Sequence, residues 1–259
     1  DIAHSYNIPV LVDEAHGVHI HFHDKLPLSA MQAGADMAAT SVHKLGGSMT
    51  QSSILNMREG LVSPDRVQSI LSMITTTSTS YLLLASLDVA RKQLATKGYE
   101  LLDKTIELAN KTRKLINQID HLYCVGEEIL GTNATYDFDP TKLTISVKEL
   151  GLTGYDVELW LRDRYNIEVE LSDLYNILCI ITPGDTENET AILVNALRTL
   201  SDEYRHQADK NAKPSVLLPD IPVLALTPRD AFYAETEVVP FEKSAGRISA
   251  EFVIVYPPG

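Results

Sequence analysis

Asp13 and Lys44 are the residues whose types and positions most directly suggest chemistry in this chain. Asp13 closes the short apolar run Ile8-Pro9-Val10-Leu11-Val12, and Lys44 follows Met37-Ala38-Ala39-Thr40 within Ser41-Val42-His43-Lys44. An apolar run of this length that ends abruptly in a polar residue reads as a parallel strand buried on both faces. In open α/β sheets the carboxyl ends of neighbouring strands converge on one crevice, so the carboxylate and the amine could face one ligand. Pyridoxal-phosphate (PLP) chemistry needs such a pair. The amine captures the cofactor's aldehyde as a Schiff base, and the carboxylate stabilises a protonated pyridine nitrogen so that the ring accepts electrons. Ser41 and His43, in the same turn as Lys44, could hydrogen-bond the phosphate. An acid at a strand end and a lysine in a loop are each commonplace, so spacing by itself does not settle the matter.

The elements that must position this pair are legible in outline. Between the two strands, Ser29-Ala30-Met31-Gln32-Ala33-Gly34 is long enough for one or two helical turns closed by Gly34, and Ser52 to Asn56 reads as a third strand. Strand–helix–strand alternation indicates an α/β sheet. Ser63-Pro64-Asp65 starts a helix, with a Ser N-cap, Pro at the first position and an acid in the first turn. Tyr81 to Asn117 is helical in pattern, as one helix or as two broken at Gly98. Beyond His121, Leu143 to Val147 alternates as a half-buried strand, and Thr153-Gly154-Tyr155-Asp156 resembles a capping box opening a helix to Tyr165. Ile167 to Leu171 and Ile177 to Ile181 read as strands, Asp185-Thr186 caps a helix reaching about His206, and Gln207 to Pro214 is a polar linker. The expected units are residues 1–90, part of a PLP-binding large domain; 91–212, a small α+β domain; and 213–259, an incomplete C-terminal domain.

Composition bounds the rest. The 259 residues are 44% hydrophobic and 22% charged, as in ordinary globular proteins. A formal charge of −13 argues against nucleic acid, whose binding relies on Lys and Arg neutralising phosphates, and it is compatible with a cationic small substrate. No apolar run approaches the roughly 20 residues of a membrane helix. Cys124 and Cys179 form no CxxC pattern, and the start of the chain shows no secretory signal, so a reduced, cytoplasmic protein is expected.

The residues around the pair carry a resemblance. Val12-Asp13-Glu14-Ala15-His16-Gly17, followed by Ala39-Thr40-Ser41-Val42-His43-Lys44-Leu45, resembles the cofactor segment of the ornithine/lysine/arginine decarboxylases. The likeness continues through Thr50 to Ser53 and Thr75 to Ser78, and returns in Gly246 to Glu251 and Tyr256 to Gly259. It is strongest toward the shorter bacterial biosynthetic arginine decarboxylases. The resemblance implies the C-terminal half of an aspartate-aminotransferase-like, fold-type-I large domain, then a small α+β domain and the start of a C-terminal domain. It implies that Lys44 carries the cofactor, Asp13 pairs with its ring nitrogen, and Ala15 packs under the ring. His16 would lie near the ring hydroxyl, where many relatives have Trp; Ser41 and His43 would hold the phosphate. Thr76 would reach the phosphate of a neighbouring subunit, making the active site a property of at least a homodimer. The implied reaction is decarboxylation of a basic amino acid, arginine to agmatine and CO2 in polyamine biosynthesis, with lysine or ornithine as alternative substrates.

Rival readings differ in testable ways. Aminotransferase or aldolase chemistry is compatible with the same fold. His19-Ile20-His21-Phe22-His23, if extended, would place three imidazoles on one side, as in metal-dependent hydrolases that also need further ligands; His121 and His206 sit in weak contexts for that, and no metal is expected. Polar loop histidines bordering the cofactor pocket are the plainer expectation. Asp163-Arg164, Glu168, Glu170, Arg229-Asp230, Glu235 and Glu237 read as surface ion pairs. Nothing before Val12 supplies a phosphate loop or a ring-stacking residue. The chain is therefore expected to be part of a longer polypeptide, or to be completed by another chain, and to be inactive and unstable in isolation.

Overall fold

The computed structural model describes residues 2–206 and 223–250. A short helix α1 (Ile2–Ser5) precedes β1 (Leu11–Asp13), a 3-10 turn (Val18–Phe22), β2 (Met37–Thr40), the four-residue helix α2 (Val42–Leu45) and β3 (Ile54–Met57). β1 and β2 pair in parallel with Asp13 opposite Ala39, and β3 returns antiparallel with Ile54 opposite Thr40. The crossover between β1 and β2 contains one helical turn. The Ala35 N–H donates to Ala30 O and the Gly34 N–H to Met31 O, with Gly34 at φ 97°, as in a helix ending closed by glycine.

α3 (Pro64–Ile74) starts as expected: Ser63 accepts from the Arg66 N–H and Pro64 takes the first helical position. α4 (Tyr81–Ile116) is a single unbroken helix. Gly98 does not interrupt it. A Cβ there would stand 3.2 Å from the Phe22 Cβ, so glycine lets the 3-10 turn approach the helix axis closely. α4 supplies Ala90 and Leu94 to a cluster with Val18 and Val42, Leu102 and Ile106 to one with Leu26, and Ala109 and Ile116 to the largest core. Residue 90, the expected limit of the first unit, falls inside this helix, and the limit at 212 lies outside the described residues.

The second sheet is antiparallel throughout, in the order β4 (Tyr123–Cys124), β5 (Lys142–Ser146), β7 (Asn176–Ile180), β6 (Leu171–Ser172). Alternation along β5 and β7 buries Leu143, Ile145, Ile177 and Cys179 against α5 (Gly154–Tyr165) and α6 (Glu187–Tyr204). Both helices open on complete capping boxes, Thr153 with Asp156 and Thr186 with Glu189. In the C-terminal stretch α7 (Pro228–Tyr233) is capped by Thr227 and buries nothing.

Four expectations need correction. β1 is not buried on both faces: Leu11 is 62% exposed, because β1 is an edge strand among the described residues and only Val10 and Val12 pack against Ala30, Ala35 and Ala38. Residues 167–170 are not strand; regular pairing begins at Leu171, although the Glu170 N–H already donates to Leu178 O. Residues 19–23 are not extended; Val18–Phe22 coil as a 3-10 turn, whose threefold period sends His19 and His21 in different directions. Finally, His19 and His23, expected as polar loop histidines bordering the cofactor pocket, are buried, 2% and 5% exposed. The linker Gln207–Pro214, Glu251 and Tyr256–Gly259 lie outside the described residues.

Candidate active site

Parallel pairing of β1 and β2 brings Asp13 and the turn that carries Lys44 to the same edge of the first sheet. Asp13 is exposed there, and its Oδ1 accepts from the Ala15 N–H at 3.0 Å, which fixes the carboxylate against the turn after the strand. Ser41 begins α2 without its side chain capping the helix, and Lys44 projects from its exposed side. The opposite side of α2 is anchored through Val42, 2% exposed and packed against Val18, Ala90 and Leu94. Gly46 is obligatory here, since a Cβ would meet the Val42 carbonyl and side chain at 2.7 Å.

His43 ties the same turn to the approach to β3. Its backbone N–H and its Nδ1 both contact Ser52 O, at 3.2 and 2.9 Å. A carbonyl only accepts, so a proton sits on Nδ1, and Nε2 takes no part in this contact. Ser52 is buried, bonded to Ser48 at 2.6 Å and to Met49 O, and the Met49 N–H donates to Ser86 of α4 at 3.1 Å. The lysine-bearing turn is thus braced by two elements beyond its own strand.

Residues of the second sheet close over this edge. His16 Nε2 stands 3.1 Å from Glu170 Oε1. Burial lowers the His16 pKa below its ordinary value; Glu170 opposes this, while Lys44, Lys142 and His19 reinforce it. His16 and Lys44 therefore share one electrostatic neighbourhood. His19 Nε2 lies 2.8 Å from Asp139 Oδ2, which also takes the Lys142 ammonium at 2.9 Å, while Asp139 Oδ1 accepts from the Thr141 N–H and hydroxyl. Burial on its own would raise the Asp139 pKa, but the hydrogen bond and charge of His19, with Lys142, outweigh it and hold the carboxyl well below the usual range. The loop bearing Asp139 is set by Arg113, a buried guanidinium donating to the carbonyls of Val125, Pro140 and Lys142.

Sequence reasoning named Asp13, Ala15, His16, Ser41, His43 and Lys44, and these lie in the two turns that leave β1 and β2. Thr76 is not tied to them among the described residues; it is exposed after α3 and accepts from the Ser78 N–H at 3.2 Å in a local turn. Glu170, Asp139 and Lys142 were missed as site residues. Glu170 had been read as a surface pair like Glu168; Glu168 does pair with Arg162 at 2.9 Å, whereas Glu170 turns to His16. The histidine cluster does not assemble: His21 faces Glu14 at 3.4 Å, and His23 stacks on Tyr99 with Asp103 3.5 Å away. Among the described residues no group of three metal-ligating side chains converges.

The donor set fits an aldehyde cofactor with a basic ring nitrogen. Lys44 and Asp13 are both exposed at one end of two paired strands, and neither makes an ion pair among the described residues.

Comparison with known proteins bears on the family and the fold. Residues 1–189 match the family described as "Orn/Lys/Arg decarboxylase, major domain". The chain is 71% identical over 259 residues to an arginine decarboxylase of Bacillus subtilis (strain 168), covering 100% of this chain and 53% of that protein. It is 69% identical over 258 residues to an arginine decarboxylase of Bacillus anthracis, covering 100% of this chain and 52% of that protein. The chain thus spans about half the length of these curated relatives. Among solved structures, the Francisella novicida lysine decarboxylase LdcF superposes with TM-score 0.65 at 24% identity, covering 76% of this chain and 33% of that one. A NifS-like protein from Rickettsia africae ESF-5 gives TM-score 0.57 at 16% identity, covering 78% and 56%. At such identities the structures speak for the fold, which is fold type I, as expected from the sequence. With its family match covering most of its length and whole-chain identities of 69–71%, the chain belongs to the Orn/Lys/Arg decarboxylase family.

Proposed function

We propose that the complete protein decarboxylates a basic amino acid with pyridoxal phosphate, arginine being the substrate and agmatine and CO2 the products. The observation that carries this reading is the placement of Asp13 and Lys44 at the same edge of two parallel strands, without an ion pair among the described residues. It is supported by whole-chain identity to proteins named arginine decarboxylase.

Bound PLP supplies an electron sink for the pair of electrons left when the substrate's carboxylate departs. The residues of this chain would hold and tune it. The Lys44 amine is the covalent anchor, Asp13 keeps the ring nitrogen protonated, and Ala15 leaves space beneath the ring. His43, its Nδ1–H donated to Ser52 O, would join Ser41 at the phosphate by donating a second proton carried on Nε2. His16 would lie near the ring hydroxyl. Thr76, exposed after α3, is assigned to the phosphate of a second subunit, so the working unit is at least a homodimer. The division into a large domain, a small α+β domain and a C-terminal domain belongs to the same proposal. So does a cytoplasmic location; no described helix is long and apolar enough to cross a membrane.

The test uses the complete protein. Incubation with PLP, borohydride reduction and peptide mapping are expected to place the label on Lys44, and CO2 release is expected to be fastest from arginine. A label on another side chain would overturn the site, and faster release from lysine or ornithine would overturn the substrate.

A further inference from the structure

We propose that Glu170 is a positioning residue for His16: it holds the imidazole in one orientation and one tautomer at the cofactor crevice. This rests on the reading of Lys44 as the cofactor-bearing amine. His16 Nε2 and Glu170 Oε1 are 3.1 Å apart, and the two side chains are 28% and 32% exposed. The Glu170 main chain is fixed, because its N–H donates to Leu178 O at 2.8 Å just before β6 pairs with β7. Its neighbour Glu168 is engaged by Arg162 and does not compete for the imidazole.

The charges facing His16 from each side are identified. Lys44 comes from α2, Lys142 from β5 and His19 from the 3-10 turn; all three disfavour a charged imidazole, and Glu170 favours it. Asp139 is engaged by His19, Lys142 and Thr141. The contact is an ion-pair proximity without hydrogen-bond alignment, and a carboxylate oxygen 3.1 Å from Nε2 favours by charge the tautomer that carries its proton on that nitrogen. A partly exposed pair of this kind adds little stability, and its consequence is orientation.

The experiment is a double-mutant cycle in the complete, PLP-loaded protein, with nitrogen-15 NMR of the histidines in the same complete protein. Glu170→Ala is expected to lower kcat about tenfold through a misplaced imidazole, with an unchanged melting temperature. Glu170→Gln, which keeps an acceptor oxygen, is expected to recover most of that loss. In a His16→Asn background Glu170→Ala is expected to change kcat less than about twofold, since coupled residues are not additive. By NMR, His16 is expected as the Nε2–H tautomer in the parent and as a mixture after Glu170→Ala, while Glu168→Gln leaves it unchanged. An equal loss of kcat in both backgrounds, or an unaltered tautomer, would overturn the proposal. The NMR arm needs no cofactor, so a borohydride label away from Lys44 would sink the assigned reaction while the tautomer still decides the role of Glu170.

Discussion

His19 donates from Nε2 to Asp139 Oδ2 at 2.8 Å, joining the segment after β1 to the loop before β5 across 120 residues of sequence. The imidazole is 3% and the carboxylate 15% exposed, and Lys142 donates to the same oxygen at 2.9 Å. Removing one member leaves a buried charge or donor uncompensated. Asp139→Asn is expected to destabilise the complete protein by about 3 kcal/mol at pH 7. The folded pKa of Asp139 is depressed, so its contribution is fully present above the unfolded value of about 3.9. It is lost as pH falls through the lower folded value. Denaturant unfolding of parent and variant at pH 7 and in acid below about pH 4 checks both statements. A gap between the two that does not narrow in acid would contradict the ionic account.

Asp13 gives a contrasting case, because it is exposed and its hydrogen bond from the Ala15 N–H could be kept by an amide oxygen. Asp13→Asn is therefore expected to leave the melting temperature unchanged while lowering turnover on the order of 100-fold, the usual cost of losing one preorganised electrostatic partner. Arginine-dependent CO2 release, measured beside a thermal melt, separates the two. Equal turnover in variant and parent would remove Asp13 from the site.

Gly154 opens α5 against the 173–176 turn. A Cβ there would lie 2.1 Å from Asn176 O and 2.4 Å from Asp173 O, and both are backbone atoms that cannot rotate away. Gly154→Ala is expected to cost about 2–3 kcal/mol despite alanine's higher helix propensity. Chemical denaturation gives the sign.

Thr153 and Thr186 cap two different helices through the same reciprocal arrangement. Each Thr→Ala change is expected to cost about 1 kcal/mol, and the double variant to show close to the sum, since the caps share no partner. A double variant no less stable than either single one would argue against independent caps.

What was legible in the sequence was what short-range chemistry dictates. The capping box at Thr153, the cap at Thr186, the Ser63-Pro64 helix start, the glycine-closed turn at Gly34, β2 and the turn carrying Lys44 follow from residue types a few positions apart. The pairs that close the crevice did not, because they form between residues far apart in the chain. His16 meets Glu170, and His19 meets Asp139, only after the second sheet docks against the 3-10 turn. The alternating histidines misled for a related reason. Their spacing suits an extended segment, yet Gly98 lets Phe22 settle against α4, and the segment coils with His19 and His23 turned inward. Leu11 shows the converse: an apolar run indicates a preference for burial, but the number of neighbours decides whether it is met.

The uninterrupted course of α4 has a mechanical consequence. At 1.5 Å per residue its 36 residues form a rod about 54 Å long. Side chains along it pack against the 3-10 turn and α2 at Ala90 and Leu94 and against the second sheet at Ala109 and Ile116, and its central glycine lies against Phe22. One continuous element therefore sets the spacing between the turn that carries Lys44 and the sheet whose loops carry Asp139 and Glu170.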